Sequence, residues 1–156
     1  MYAYGQGVLK DAGKAAYWHE KAAEQGDARA QIELGMEYAY GLGGVPKDEA
    51  KAGYWSQKAV EQYQEAAEQG NMKAQFYLGT AYANGRGVPK DEFTAAQWLK
   101  KAAGQKDAQA QYLLGAMYES GRGVIRDKRE ACSLLRASAE QNNKDAVQRY
   151  NDICVD

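Results

Sequence analysis

The sequence predicts an all-α fold in which antiparallel helix pairs stack in tandem. The first observation is a repeat, since Gly79 and Gly115 close the similar segments QFYLG and QYLLG and lie 36 residues apart. The second is the spacing of apolar residues within each repeat, which follows the 3.6-residue period of a helix. The third is composition, because alanine is abundant and the chain has only two prolines, a bias that favours closely packed helices.

A glycine-rich segment joins the two helices of each pair. It recurs as YGQGVLKD, YGLGGVPKD, NGRGVPKD and SGRGVIRD. A phosphate-binding loop is the alternative interpretation, but such a loop follows a β-strand and carries a Walker lysine or a third glycine. Here a predicted helix precedes the loop. We therefore interpret the segment as a joint in which Gly85 ends one helix and Asp91 caps the next.

The first helix of each pair follows a residue that is suited to accept a backbone N–H as an N-cap. The predicted helices span residues 28–40, 72–84 and 108–120, and the caps are Asp27, Asn71 and Asp107. Each helix has a central glycine, which costs about 1 kcal/mol relative to alanine. Because this cost recurs, we expect a neighbouring helix to approach closely at Gly35, Gly79 and Gly115.

The second helix of each pair alternates large and small residues along one face, which predicts interdigitated packing. These helices are predicted at residues 11–25, 48–69, 91–104 and 127–141. Their tryptophans, Trp18, Trp55 and Trp98, are expected to lie in the core. The helix at 48–69 is seven residues longer than its equivalents, an addition close to two turns that keeps its buried face in phase. Residues from Ser56 to Tyr63 are therefore expected to project about 10 Å beyond the neighbouring pairs.

Length and charge predict one domain and exclude several classes of partner. The expected boundaries are 1–156 for the domain, 1–27 for a partial repeat, 28–70, 72–106 and 108–142 for the repeats, and 144–153 for a closing helix. A formal net charge of −1 gives no surplus that would favour nucleic acid or anionic lipid. The apolar runs are far shorter than the ~20 residues that cross a bilayer.

The N-terminal sequence MYAYGQGVLKD lacks the features of a secretory signal. We expect a cytoplasmic protein if this is the native N-terminus, and a periplasmic or secreted one if a signal was removed. The first repeat begins midway through its first helix, which predicts a trimmed chain or pairing with another molecule through the open N-terminal end.

The repeated pattern LGxxYxxGxGVxxDxxxAxxWxxKAAxQGDAxAQ resembles the Sel1-like repeat, a relative of the tetratricopeptide repeat. The resemblance covers nearly the whole chain and implies a right-handed α/α superhelix, or solenoid. It also implies an adaptor in protein–protein interaction, in many cases bacterial. A cysteine-rich branch of the family, associated with penicillin binding, clamps each hairpin with a disulfide. The matching positions here hold alanine and glutamine, so neither the clamp nor that activity is expected.

Few side chains suit catalysis or metal binding, and no cofactor is expected. Cys132 and Cys154 lie almost equally far from the predicted turn at residues 142–143, so a disulfide and a pair of buried thiols both remain open. His19 has no cysteine or serine placed to form a dyad, and it is expected to be solvated. Glu33 and Glu37 lie four residues apart on one helix. They suit a cation or a basic partner, but such a pair is more typical of a solvated face, and no metal site is expected.

A concave groove lined by the first helices is the predicted binding site, because helix-pair solenoids bind partners on such surfaces. The residues expected to line it are Glu33, Met36, Glu37, Tyr40, Tyr77, Thr80, Ala81, Asn84, Leu113, Ala116, Met117 and Ser120. Tyr40, Tyr77 and Met117 are the expected anchors. Asn84 is expected to bond a peptide backbone, and Glu33 with Glu37 to select a basic end.

The function predicted from these residues is a non-catalytic adaptor that binds a protein or peptide. One alternative is an enzyme of cell-wall or β-lactam chemistry, which would need a nucleophile beside a base. Another is a structural homo-oligomer assembled through the open N-terminal end or through the long helix near Tyr63.

Overall fold

The computed structural model describes residues 12–155, and all of their regular secondary structure is helical. Its helices, in chain order, are α1 (Ala12–Glu24), α2 (Ala28–Tyr40), α3 (Glu49–Glu68), α4 (Met72–Asn84), α5 (Glu92–Gly104), α6 (Ala108–Ser120), α7 (Lys128–Ala139) and α8 (Lys144–Cys154). This confirms the predicted all-α fold of helix pairs. The expectations about the first glycine loop and the N-terminal end fall outside the described residues.

The helix ends carry the predicted caps. The side chains of Asp27, Asn71 and Asp107 accept hydrogen bonds from backbone N–H groups three residues on, at 2.7, 3.0 and 2.7 Å. At the other end of α4, Gly85 adopts the left-handed conformation with φ of 68°. Asp91 then caps α5 by accepting from the N–H groups of Phe93 and Thr94. The glycine-rich loop is thus a joint between helices, as predicted.

The chain divides into two compact units, Met1–Gln62 (unit 1) and Tyr63–Asp156 (unit 2), and the boundary falls inside α3. Helix α3 has 20 residues, whereas α5 has 13. The predicted two extra turns are therefore present, and they are the part of the helix in which one unit gives way to the next.

A buried cluster of unit 1 is rich in alanine. It consists of Ala23, Ala30, Leu34 and Tyr38, against which Ala22, Val45, Ala52 and Trp55 pack. A Cβ added at Gly35 would lie 2.8 Å from the Ser56 Oγ and 3.4 Å from the Ala52 carbonyl oxygen. The central glycine of α2 therefore lets α3 approach its backbone.

A buried cluster of unit 2 consists of Ala95, Ala96, Leu99, Ala102, Ala103, Ala110, Leu114 and Met117. A Cβ at Gly79 would lie 2.6 Å from the Leu99 Cγ, and one at Gly115 would lie 3.0 Å from the Leu135 Cγ. The prediction that these glycines mark close helix approach is confirmed.

The prediction that three tryptophans lie in the core is only partly right. Trp98 is 9 % exposed and Trp55 is half-buried, but Trp18 is 56 % exposed. The buried side of α1 includes Ala16 and Ala23, and the half-buried His19 lies between them along the helix. This face is rotated by one residue from the predicted one, which leaves Trp18 on the surface.

Candidate functional site

The predicted groove residues occupy four sets of equivalent positions on the first helices α2, α4 and α6. The sets are Glu33, Tyr77 and Leu113; Met36, Thr80 and Ala116; Glu37, Ala81 and Met117; and Tyr40, Asn84 and Ser120. Three of the sets include side chains that are exposed or half-buried. The set that contains Met117 is largely buried and does not line a surface. The predicted site therefore loses the residues of this set.

Met117 is a core residue, which corrects its assignment as an anchor. It is 4 % exposed, and its equivalent Ala81 is 1 % exposed. Met117 belongs to the same apolar cluster as Leu99 and Ala103 of α5. The reason is helical geometry: at about 100° per residue, a residue four positions on is rotated by about 40°. That rotation carries this set from the surface into the contact with the second helices.

Glu37 occupies the equivalent place in unit 1, and its side chain is only 12 % exposed. Its Oε1 lies 2.9 Å from the Nδ1 of His19 on α1, so the expectation that His19 is solvated is wrong. The Oε2 of Glu37 is buried without a hydrogen-bond partner in the described part of the chain. Glu37 therefore joins α1 to α2 and does not present its carboxylate to a basic partner.

The remaining predicted residues of unit 1 lie on α2 as Glu33, Met36 and Tyr40. Glu33 and Met36 are half-buried, whereas Tyr40 is 60 % exposed. Among the described residues, no group of three or more histidine, cysteine, aspartate or glutamate side chains is arranged to hold a metal ion.

In unit 2, the predicted residues that reach the surface lie on α4 and α6. We call these residues the first-helix face: Tyr77, Thr80, Asn84, Leu113 and Ser120. Tyr77 is half-buried, and its ring centroid lies 4.7 Å from that of Tyr63, with the rings inclined at 46°. Tyr63, which the sequence placed on the projecting segment of the long helix, therefore packs its ring on α4.

Burial raises the pKa of Tyr77 to about 12, and the nearby Tyr63 adds to this rise while Arg86 opposes it. The phenol is accordingly neutral at physiological pH. A neutral aromatic ring held against a second ring offers a rigid apolar surface at low cost in conformational entropy.

The polar side chains of the first-helix face bond to their own helices. The Thr80 hydroxyl donates to the Tyr77 carbonyl, the Asn84 Nδ2 donates to the Thr80 carbonyl, and the Ser120 hydroxyl donates to the Ala116 carbonyl, each at 2.8 Å. Asn84 was expected to form hydrogen bonds with a peptide backbone, and this contact limits which of its atoms can do so. Its amide nitrogen is engaged, and its Oδ1 is the group that remains to accept a hydrogen bond from a peptide N–H.

The last hairpin is closed by a disulfide between Cys132 of α7 and Cys154 of α8, whose Cα atoms lie 5.8 Å apart. Of the two arrangements left open by the sequence, the structure contains the bridge. Beside it, Arg149 of α8 forms an ion pair with Glu119 of α6 at 2.7 Å. These polar and covalent contacts hold the terminal helix.

A recurrent glutamine contact was not anticipated from the sequence. In three successive hairpins, a buried glutamine Nε2 donates to a backbone carbonyl eight residues earlier. The pairs are Gln31 with Ala23, Gln75 with Ala67, and Gln111 with Ala103, at 3.2, 3.1 and 3.4 Å. The fixed position of glutamine in the motif A-x-A-Q was the available signal. Each of these hydrogen bonds joins the two helices of a neighbouring pair across their connecting turn.

None of the helices within residues 12–155 combines the length and apolar character that a membrane span requires.

The family model described as the Sel1 repeat matches residues 1–27, 28–62, 63–71, 73–107 and 108–143. One match ends and the next begins where unit 1 meets unit 2. The segment 28–70, treated above as one repeat with an insertion, is thus matched in two pieces. No protein with a curated description matches the chain.

Several solved structures are similar to this chain. A Sel1 repeat protein from Oxalobacter formigenes is 37 % identical, covers 87 % of this chain and 96 % of its own, and superposes with a TM-score of 0.59. The protective antigen c5321 of uropathogenic Escherichia coli, which displays an SLR fold, is 33 % identical over 97 % of this chain, with a TM-score of 0.61. This chain spans 38 % of the length of that antigen. The immunity protein Pa5087 of Pseudomonas aeruginosa is 25 % identical over 92 % of this chain and 63 % of its own, with a TM-score of 0.53.

Proposed function

Because the chain belongs to the Sel1 repeat family, whose members generally mediate protein–protein interactions, we propose that it is a non-catalytic adaptor that binds an extended polypeptide. The proposed site is the first-helix face of unit 2. The observation that carries the proposal is Tyr77, a half-buried aromatic side chain that Tyr63 holds in place.

Tyr77 and Leu113 are the proposed anchors. They occupy equivalent positions on α4 and α6, and both are half-buried. Binding energy at interfaces concentrates in such large, partly buried side chains, since covering them removes apolar surface from water with little loss of rotamer freedom. A partner side chain that packs between the two anchors would bury both.

The other side chains of the first-helix face are small and polar, and they form hydrogen bonds within their own helices. Thr80 and Ser120 donate their hydroxyl protons to carbonyls of their own helices, so little polar desolvation opposes a bound chain. The Asn84 Oδ1 accepts a backbone N–H of the partner in this arrangement. The face therefore combines two apolar anchors with one acceptor that orients a peptide.

The test is capture from a native lysate of the source organism followed by measured binding of the recovered partner. The variant Tyr77→Ala/Leu113→Ala removes both anchors, and Thr80→Arg obstructs the face while retaining the Tyr77 to Tyr63 contact. We expect each to weaken binding by at least about 10-fold. Circular dichroism confirms that each variant remains helical.

The matched control is Tyr54→Ala, which truncates a tyrosine that is 54 % exposed on α3. We expect it to bind as the unmodified chain does. If the partner binds Thr80→Arg and the control with equal affinity, the first-helix face is not the site.

The alternative functions predict different measurements. Sel1 repeat proteins and the similar structures are generally non-catalytic. Turnover of a chromogenic β-lactam that survives repurification would nevertheless favour an enzyme. A structural homo-oligomer would show a mass in light scattering that changes on dilution, whereas a monomeric adaptor would not.

A further inference from the structure

A second surface of unit 2 lies where the loop at residues 121–127 meets the start of α5. It adjoins the first-helix face, because the Arg122 Nε donates to the Ser120 Oγ at 3.2 Å. Gly123 has φ of 66°, and a Cβ added there would collide with the Glu92 carbonyl and lie 2.9 Å from the Phe93 nitrogen. The loop backbone therefore lies directly against the first turn of α5. The two segments thus lie side by side at this point.

Two large apolar side chains are exposed on these segments. Ile125 is 90 % exposed and Phe93 is 63 % exposed. The equivalents of Ile125 in the two preceding loops are Pro46 and Pro89, so an isoleucine is not required to form the joint. A single exposed apolar residue is ordinary, whereas two on adjoining segments give a partner a larger apolar area to cover.

Basic residues flank Ile125 in the sequence. Within residues 121–129 they are Arg122, Arg126, Lys128 and Arg129, and all of them are exposed. None of the four forms an ion pair with another residue of the part of the chain that is described.

The neighbouring acidic groups are largely engaged elsewhere. The Asp127 Oδ1 accepts hydrogen bonds from two backbone N–H groups at the start of α7, at 2.9 and 3.1 Å. Asp91 caps α5 in the same way, and Glu92 pairs with Lys90 at 3.2 Å. Within residues 121–130 the four basic side chains outnumber the two acidic ones, so the segment keeps a net positive charge that attracts an anion.

We propose that this surface, the loop patch, binds an acidic peptide segment that carries a large apolar side chain. The loop patch consists of Phe93, Arg122, Ile125, Arg126, Lys128 and Arg129. Arginine guanidinium groups bind carboxylates through paired hydrogen bonds, and the apolar side chain of the peptide covers Ile125 and Phe93.

A peptide fits the charge pattern better than a nucleic acid or a membrane. Asp91, Asp127 and Glu130 interrupt the basic residues, so the positive charge does not form the continuous basic surface that suits a nucleic-acid backbone or an anionic membrane. The whole chain has a pI near 5.9, whereas nucleic-acid-binding domains are typically strongly basic. A peptide can place single carboxylates opposite single arginines.

The test uses the full chain and a fluorescein-labelled peptide in which glutamates alternate with leucine and phenylalanine. Fluorescence anisotropy is measured for Arg122→Glu/Arg126→Glu and for Ile125→Ser. We expect the charge reversal to weaken binding at least about 10-fold and the serine to weaken it about 5-fold. Added salt should weaken binding to the unmodified chain.

The matched control is Lys106→Glu/Lys144→Glu, the same charge change at two exposed lysines outside the loop patch, and we expect it to bind nearly as the unmodified chain does. An equal loss in this control and in Arg122→Glu/Arg126→Glu would overturn the proposal. So would the absence of binding to the acidic peptide, or tighter binding to a lysine-substituted peptide, to single-stranded DNA or to phosphatidylserine vesicles.

Discussion

At the residue scale, the described glycines that lie inside helices fall into two physical classes. Gly79 lies in α4 where Leu99 leaves no room for a Cβ, since the Cγ would be 2.6 Å away. Gly53 lies in the interior of α3 and has no atom within 4 Å of an added Cβ. Both incur the entropic cost of glycine in a helix, but only the first gains close packing in return.

Substitution by alanine is therefore expected to change stability in opposite directions at these two glycines. Gly79→Ala should lower the free energy of unfolding by about 1 to 3 kcal/mol, because Leu99 must move. Gly53→Ala should raise it by about 0.5 to 1 kcal/mol. Urea denaturation followed by circular dichroism measures both, and a loss of stability in Gly53→Ala would contradict the assigned packing.

We expect the Tyr77 phenol to lose its proton at a higher pH than an exposed tyrosine does. Burial raises its pKa from 10.0 to about 12, so folding favours the neutral phenol. The resulting stabilisation is complete below pH 10 and is lost as the pH rises through 12. The difference in tyrosinate absorbance between the unmodified chain and Tyr77→Phe should have its midpoint near 12. A midpoint near 10 would show that the ring is solvated.

At the element scale, α8 depends on few contacts. Ala146 is its one fully buried residue, so burial of apolar surface contributes little to holding it. Three specific contacts also hold this helix. They are the disulfide between Cys154 and Cys132, the ion pair between Arg149 and Glu119, and the hydrogen bond from Arg136 to Tyr150. The terminal helix is thus attached by specific bonds more than by a core.

Loss of the disulfide should accordingly destabilise the last hairpin. The bridge spans 22 residues, for which chain entropy predicts a stabilisation of about 3 kcal/mol. Cys132→Ala/Cys154→Ala should show faster hydrogen exchange in α8, and reductant should produce the same change in the unmodified chain. The variant itself is the control, because reductant should leave it unaffected. Unchanged exchange in the variant would contradict this account.

At the scale of the whole molecule, each unit has its own core. Leu34 is 1 % exposed in unit 1, and Leu114 is 2 % exposed in unit 2. In repeat proteins each repeat contacts only its neighbours, and stability is approximately a sum of local terms. Damage to one core is therefore expected to remain mainly local.

Leu34→Ala and Leu114→Ala form a matched pair, each expected to cost about 2 to 5 kcal/mol. Hydrogen exchange measured by mass spectrometry should rise in α1 and α2 for the first variant. It should rise in α5 and α6 for the second. An equal rise throughout the chain in both variants would indicate one cooperative block instead.

The sequence predicted the helices well because each local signal acts within a few residues. Asp107 caps its helix, Gly85 ends another, and the apolar period defines the segment between such signals. The first-helix face was predicted less well. Met117 and Glu37 lie at positions rotated only slightly from surface positions, and a sequence pattern does not resolve a rotation of about 40°.

By itself, the sequence determined the tandem helix pairs, their caps and joints, and the kinship that points to protein binding. Only the tertiary structure decided which face each helix buries, that Tyr63 packs on Tyr77, that His19 joins Glu37, and that the loop at Gly123 lies on α5. The physical reason is the distance along the chain over which each interaction acts. Capping and periodicity are local, whereas burial and pairing depend on which neighbour each helix meets in space.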